Sequence, residues 1–151
     1  MTPAILASMS RENVDLVRTL IPPPEIDFAA LFRDDELFEQ AASALEELID
    51  PEVESLANWM GGTRYVGVEG FRSLWLDWLE PWTSYHAQVE DLIDAGDRVL
   101  ALSRDRGRRP DVDAEIELTA SSVWEVRDGR IVRVAFYTDR DDAFEAAGVK
   151  R

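Results

Sequence analysis

The stretch Asp113-Ala-Glu-Ile-Glu-Leu-Thr-Ala-Ser-Ser-Val-Trp-Glu-Val-Arg127 decides how this chain folds. Ala114, Ile116, Leu118, Ala120, Ser122, Trp124 and Val126 alternate with Glu115, Glu117, Thr119, Ser121, Val123 and Glu125. A period of two sustained this long is a strand with one mainly apolar face, which must be covered, and one mainly polar face. Residues 84–95, 98–106 and 130–138 read as strands on the same grounds. The connection Ala95-Gly96-Asp97 and the pair Asp128-Gly129 are hairpin signals, the second a strong one.

Upstream the period changes. Ser10 is placed to N-cap a helix whose apolar positions Val14, Val17, Leu20 and Ile21 recur at three-to-four spacing. Pro22-Pro23-Pro24 ends it, because none of the three supplies an N–H and each restricts its predecessor. A short helical piece follows over 26–32. A longer helix over 36–49 sets Leu37, Ala41, Leu45 and Leu48 on one stripe and stops at Asp50-Pro51. A strand over 52–59 leads through Gly61-Gly62 to a turn near Gly67. An aromatic helix over 69–79 carries Phe71, Leu74, Trp75 and Trp78 on one side and halts at Pro81. Asp139 N-caps a closing helix over 140–147, ended by Gly148. Helices first and a meander of strands afterwards imply an α+β fold, an antiparallel sheet with helices on one face.

Composition narrows the function classes. The 151 residues include no Cys, one His, and 31 acidic against 16 basic side chains, a formal charge of −15. Five Trp and six Phe mark a globular chain. No disulfide framework or thiolate site is available, and a single His argues against zinc, so neither a metal site nor a cofactor is expected. The acidity disfavours nucleic acid and anionic membranes, which need clustered Lys and Arg. No apolar run approaches the roughly 20 residues of a membrane helix, and the first residues lack a basic n-region. A cytoplasmic location is therefore expected. Residues 1–9 read as an unordered leader, with Met9 a second plausible start, and residues 10–148 as one domain.

The charge is uneven. Residues 1–80 hold 16 acids and 5 Arg, and residues 81–151 hold 15 acids and 11 bases. Arg104, Arg106, Arg108 and Arg109 crowd one stretch ending at Pro110. It reads either as a solvated hairpin loop offset by Asp105, Asp111 and Asp113, or as a tip that binds an anion or a partner.

Six short motifs in order resemble the SnoaL-like proteins of the nuclear transport factor 2-like superfamily. They are Ser10-Arg-Glu-Asn-Val-Asp-Leu-Val17, Asp50-Pro-Glu-Val53, Gly67-Val-Glu-Gly-Phe-Arg72, Ala95-Gly-Asp-Arg-Val99, Arg127-Asp-Gly-Arg-Ile131 and Tyr137-Thr-Asp-Arg140. The resemblance implies a curved antiparallel sheet wrapped around N-terminal helices into a cystatin-like cone. It also implies an apolar cavity at the open end and a homodimer through the outer sheet face. Residues 22–35 exceed the usual first connection and read as a local elaboration. Relatives include polyketide cyclases, a steroid isomerase, an epoxide hydrolase and a dehydratase, as well as binding domains, so the reaction must be argued from the site.

The known chemistries of the superfamily map poorly onto these positions. Where the isomerase has its proton-abstracting Asp, this chain has Asn58, whose amide does not titrate usefully. The isomerase's protonated Asp falls near Ser122, and its first-helix Tyr has no counterpart. Counting from Gly96, the Arg-x-Asp of the epoxide hydrolase reads Ser103-Arg104-Asp105, and its last-strand Asp is Phe136. Asp105 is thus the one carboxylate aligned with an inward functional position, where burial would raise its pKa into an acid/base range. The alternative places it solvated at the strand end. His86, the only His, is the other acid/base candidate; neither face of its strand is cleanly apolar.

The aromatics outline a pocket. Trp75 matches a lining aromatic of the isomerase, Trp124 lies on the apolar strand face, and Phe136 alternates onto the side of Val132 and Val134. Trp59 and Trp78 could join them. Asn58, Ser122 and the Trp N–H groups would orient polar atoms of a small apolar or aromatic molecule. An enzyme of cyclase, isomerase or hydrolase type using Asp105 or His86, and a dimerisation module filled by its own Trp side chains, are the alternatives.

Overall fold

The computed structural model describes residues 3–150, with side chains for residues 11–59 and 61–150. Helices α1 (Pro3–Leu20), α2 (Phe28–Arg33) and α3 (Asp35–Leu45) precede strand β1 (Ile49–Ala57). Strand β2 (Thr63–Val66) and helix α4 (Gly67–Leu79) follow. Strands β3 (Ser84–Ala95), β4 (Arg98–Arg108), β5 (Ile116–Arg127) and β6 (Arg130–Tyr137) come next, and α5 (Arg140–Ala147) closes the chain. The strands form one six-stranded sheet in the order β2-β1-β6-β5-β4-β3. This is the expected α+β architecture.

Several boundaries differ from the sequence reading for identifiable reasons. The expected unordered leader over residues 1–9 is helical from Pro3, so Ser10 lies inside α1 rather than capping it; residues 1 and 2 lie outside the described residues. The helix expected over 36–49 ends at Leu45, passes through a 3₁₀ turn (Glu46–Leu48), and becomes strand at Ile49. Pro51 therefore lies in a strand. It is tolerated because β1 and β6 lose their register between Ile49 and Glu54, where no ladder needs its missing N–H. The pairing of β1 with β6 is parallel, while the other pairings are antiparallel. Strand β2, read as a turn, pairs with β1 from Ala57↔Thr63 to Glu54↔Val66. The Asp128-Gly129 hairpin forms as read, both residues having positive φ (52° and 75°) as a type I′ turn demands.

The sheet buries both faces unequally. On the inner face Val53, Val99, Trp124, Val126, Ile131 and Val134 pack beneath Leu16 and Val17 of α1. A second, aromatic cluster joins Phe28 and Phe32 of α2, Phe38 of α3, Leu79 of α4, and Trp82 and Tyr85. On the outer face Ala143, Phe144 and Ala147 of α5 cover Leu100 and Val123. Helix α5 thus occupies part of the surface on which the expected dimer would form.

The connection over 22–35 is a strap. Asp27 Oδ1 accepts from Ala29 N, capping α2, and from Tyr85 N on the free edge of β3, both at 3.0 Å. Helices α2 and α4 then cap each other. Arg33 Nη2 donates to the Leu79 and Trp82 carbonyls at 2.7 and 2.8 Å, taking up acceptors at the end of α4. Arg72 Nε donates to the Phe32 carbonyl at 2.9 Å, near the end of α2, and its Nη2 pairs with Asp35 at 2.7 Å.

Candidate functional site

Between the inner sheet face and helices α1 to α4 lies a cavity of about 540 Å³. Its walls are mostly apolar. Leu20, Leu31, Phe38 and Leu45 come from the first three helices; Phe71, Trp75 and Trp78 come from α4; Ala101, Leu118, Ala120, Trp124 and Phe136 come from the sheet. Trp75 and Trp124 do not close against each other. Both contact Phe136, with ring centroids 5.4 and 6.2 Å away in T-shaped arrangements. Trp59 and Trp78 pack together at 4.8 Å on another wall.

Polar residues interrupt this lining, among them two buried spots. At the first, Asp105 projects from β4 and is only 3% exposed. Tyr85, directed inward from β3, donates its hydroxyl to Asp105 Oδ2 at 2.5 Å, and Ser103 donates to Oδ1 at 2.9 Å. Register places these groups together, since Ala87 pairs with Asp105 and Asp105 with Leu118. Burial pushes the Asp105 carboxyl above its ordinary range, against the opposing pull of the two hydroxyl donors and of the Arg140 charge. Burial, reinforced by the adjacent Asp105, holds the Tyr85 phenol far above its usual range, and a hydrogen bond with Trp78 works the other way. At the second spot Ser122 accepts from Trp124 Nε1 at 2.8 Å. Its own hydroxyl hydrogen has no acceptor among the described residues, so it is free to donate into the cavity. One spot offers a buried acceptor and the other a donor.

The structure brings together most of the residues singled out in the sequence. Asp105, Trp59, Trp75, Trp78, Ser122, Trp124 and Phe136 all line the cavity. Two do not. Asn58 is exposed in the 3₁₀ turn after β1 and donates to the Phe136 carbonyl at 3.2 Å, fastening that turn to β6. His86 sits on the opposite face of β3 from Tyr85, its Nδ1 3.0 Å from the Pro24 carbonyl oxygen, and so belongs to the strap rather than the cavity. Tyr85 is the residue the sequence reading passed over, although alternation puts it on the face of Ala87. The arginine-rich stretch is already engaged. Arg104 pairs with Glu90 and Glu117, Arg106 with Glu115, and Arg109 lies over the Trp82 ring at 4.6 Å.

A curved sheet closed by helices over a mostly apolar cavity, with one buried carboxylate on its wall, defines a cone-shaped α+β domain. The SnoaL-like domain model matches residues 28–134, and the chain belongs to that family. No curated protein sequence matches it. Among solved structures it is similar to a protein from Jannaschia sp. CCS1 described as a SnoaL-like polyketide cyclase (TM-score 0.64, 16% identity, 93% of this chain and 94% of that one). It is also similar to TerC co-crystallised with polyporic acid (0.62, 20%, 91% and 98%). A third is a protein of ketosteroid isomerase-like fold from Catenulispora acidiphila in complex with trimethylamine (0.55, 16%, 85% and 96%). At these identities the likeness is one of fold. No helix among the described residues is long and apolar enough to cross a membrane.

Proposed function

We propose that this chain binds a small, largely apolar, ring-bearing molecule in the cone cavity, held at Asp105 by a hydrogen-bond donor and at Ser122 by an acceptor oxygen. The observation that carries the reading is the mostly apolar cavity of about 540 Å³ walled by Trp75, Trp124 and Phe136, with those two polar spots on its wall. Its size falls in the range of small-molecule sites, and aromatic walls favour flat ligands. Structures of similar fold co-crystallised with polyporic acid or in complex with trimethylamine support a small-molecule role for the same kind of cone. The test is a fluorescence titration with N-phenyl-1-naphthylamine, a neutral two-ring probe. Saturable binding of one probe per chain is expected in the parent protein and not in Ala120→Trp, which fills the cavity from β5. Equal binding by both would place the probe elsewhere and remove the reading.

Asp105 favours a second reading, in which the bound molecule also reacts. A buried carboxyl with a raised pKa and a Tyr85 hydroxyl 2.5 Å away can take a proton from a bound carbon acid and return it. Exchange of solvent deuterium into β-tetralone, followed by proton NMR, tests this. Exchange accelerated by the parent protein and abolished in Asp105→Asn supports it; equal rates in the two leave binding alone.

A further inference from the structure

Arg140 breaks two local rules. It is the first residue of α5, the end of a helix at which free N–H groups and the macrodipole disfavour a cation. Its Nε is buried without an acceptor among the described residues, which is unusual for a guanidinium. Residues that violate local preference this way tend to be held in place for a reason outside their own element.

What holds Arg140 is specific. Its Nη2 donates to Glu90 Oε1 at 2.5 Å and to the Ser103 carbonyl at 2.9 Å. Glu90 lies where β3 and β4 change register: Val89 pairs with Ser103 and Asp91 with Leu102, leaving Glu90 as the extra residue of a bulge. Bulges re-aim side chains, and this one brings the Glu90 carboxylate to Arg140 and, at 3.5 Å, to Arg104. Ser103, opposite the bulge, offers its carbonyl to Arg140 and its Oγ to Asp105. A connected line of polar groups therefore runs from Glu90 through Arg140 and Ser103 to the cavity carboxylate.

We infer that Arg140 is a positioning residue for Asp105, itself positioned by Glu90 and acting through the backbone of Ser103 and through its own charge. Fixing the Ser103 carbonyl fixes the orientation of the strand segment that presents both Ser103 Oγ and Asp105. The guanidinium charge favours the ionised carboxylate against the burial that opposes it. The other groups that bear on Asp105 are Tyr85 from β3, Ser103 from β4 and, through Tyr85, Trp78 from α4; Leu118 opposite it on β5 is apolar. Around Arg140 stand Glu90, Arg104, the N-cap Asp139 and the acids Asp141 and Asp142 of its own first turn. The inference rests on Asp105 being the polar anchor of the cavity.

The test is a carbon-13 NMR titration of the Asp105 carboxyl in the free protein, assigned by its loss in Asp105→Asn. Arg140→Gln is expected to raise the midpoint by roughly half a pH unit or more, and Arg140→Lys to restore most of that shift. Glu90→Gln, whose amide oxygen still accepts from Arg140 but which removes the compensating negative charge, moves the midpoint down. Arg104→Gln, a cation on the same carboxylate without the Ser103 contact, leaves it in place. Midpoints unchanged in both Arg140→Gln and Glu90→Gln, or shifted in the same direction by both, overturn the inference. Should Arg140→Gln fail to fold, Arg140→Lys and Glu90→Gln decide alone, an unmoved midpoint in Glu90→Gln being the overturning result. No ligand is present, so failure here and failure of the probe titration are separate results.

Discussion

The Tyr85 hydroxyl donates to Asp105 Oδ2 at 2.5 Å across the β3–β4 ladder, and both groups are almost wholly withdrawn from water. A buried carboxylate accepting from a phenol and from Ser103 is satisfied as an acceptor, yet it still carries the cost of desolvating its charge. Under the proposed role of Asp105 as the cavity's polar anchor, function and stability pull in opposite directions at this residue.

Asp105→Asn is expected to stabilise the fold. The folded-state pKa of Asp105 is raised, so its proton linkage contributes stability that is present below the unfolded value and lost as pH rises through the folded one. Replacing the charge by an amide removes that loss, worth on the order of 1 kcal/mol near neutral pH and above, or roughly 2–4 °C in Tm. The advantage over the parent should shrink as pH falls toward the ordinary Asp value of about 4. Thermal melts of the two proteins across pH check it; an Asn variant less stable near neutrality and equally so in acid refutes it.

The tyrosines make an independent prediction. The chain has three. Burial, assisted by the Asp77 charge and hydrogen bond, pushes Tyr65 up to about 12; burial with Asp105 raises Tyr85, and burial raises Tyr137. Ultraviolet titration of the native protein should show little tyrosinate near pH 10, where an unperturbed phenol is about half ionised. In guanidinium the ordinary curve should return. One native tyrosine titrating normally would contradict the burial of at least one of these rings.

How much of this could be read from the sequence differs by residue. The alternation in β5 and the Asp128-Gly129 turn are local signals, and the sheet follows from them. Asp105 was reachable by counting along a strand from Gly96. His86 was not, because the bulge at Glu90 changes the phase of β3: Tyr85 and Ala87 face inward before it, while Leu92 faces inward and Ile93 outward after it. Alternation averaged over such a strand has no clean face. Asn58 failed for a related reason. Spacing counts residues, whereas a 3₁₀ turn begins at this one and carries its side chain to the Phe136 carbonyl. Tyr85 mattered through a partner 20 positions away, which only the register brings together.

Asp27→Ala tests the strap. The one oxygen caps α2 and satisfies the Tyr85 N–H on the sheet edge. Losing a cap and leaving an edge N–H without its acceptor should cost about 2 kcal/mol. Because Tyr85 is the residue held, the loss should also loosen the Asp105 site, seen as faster amide exchange at Tyr85 than at Leu100, buried near the start of β4. Uniform exchange changes along both strands would argue that the strap serves stability alone.

Gly107→Ala should be among the most damaging single-methyl additions in the chain. A Cβ at Gly107 would lie 2.5 Å from Cε3 and 2.7 Å from Cζ3 of Trp82, and 3.1 Å from the Ser84 carbonyl oxygen. The indole has little freedom to retreat. It is 3% exposed, with the Tyr85 ring 5.4 Å away and the Arg109 guanidinium 4.6 Å from its centroid. Overpacking of this kind costs about 2 kcal/mol, or roughly 4–8 °C in Tm, and its strain falls on Tyr85. Urea unfolding gives the first quantity, and the Asp105 carboxyl titration detects the second as an upward shift when the Tyr85 hydrogen bond lengthens. A variant within about 0.5 kcal/mol of the parent would mean that Trp82 moves aside freely, and that the wall behind Tyr85 is softer than its packing indicates.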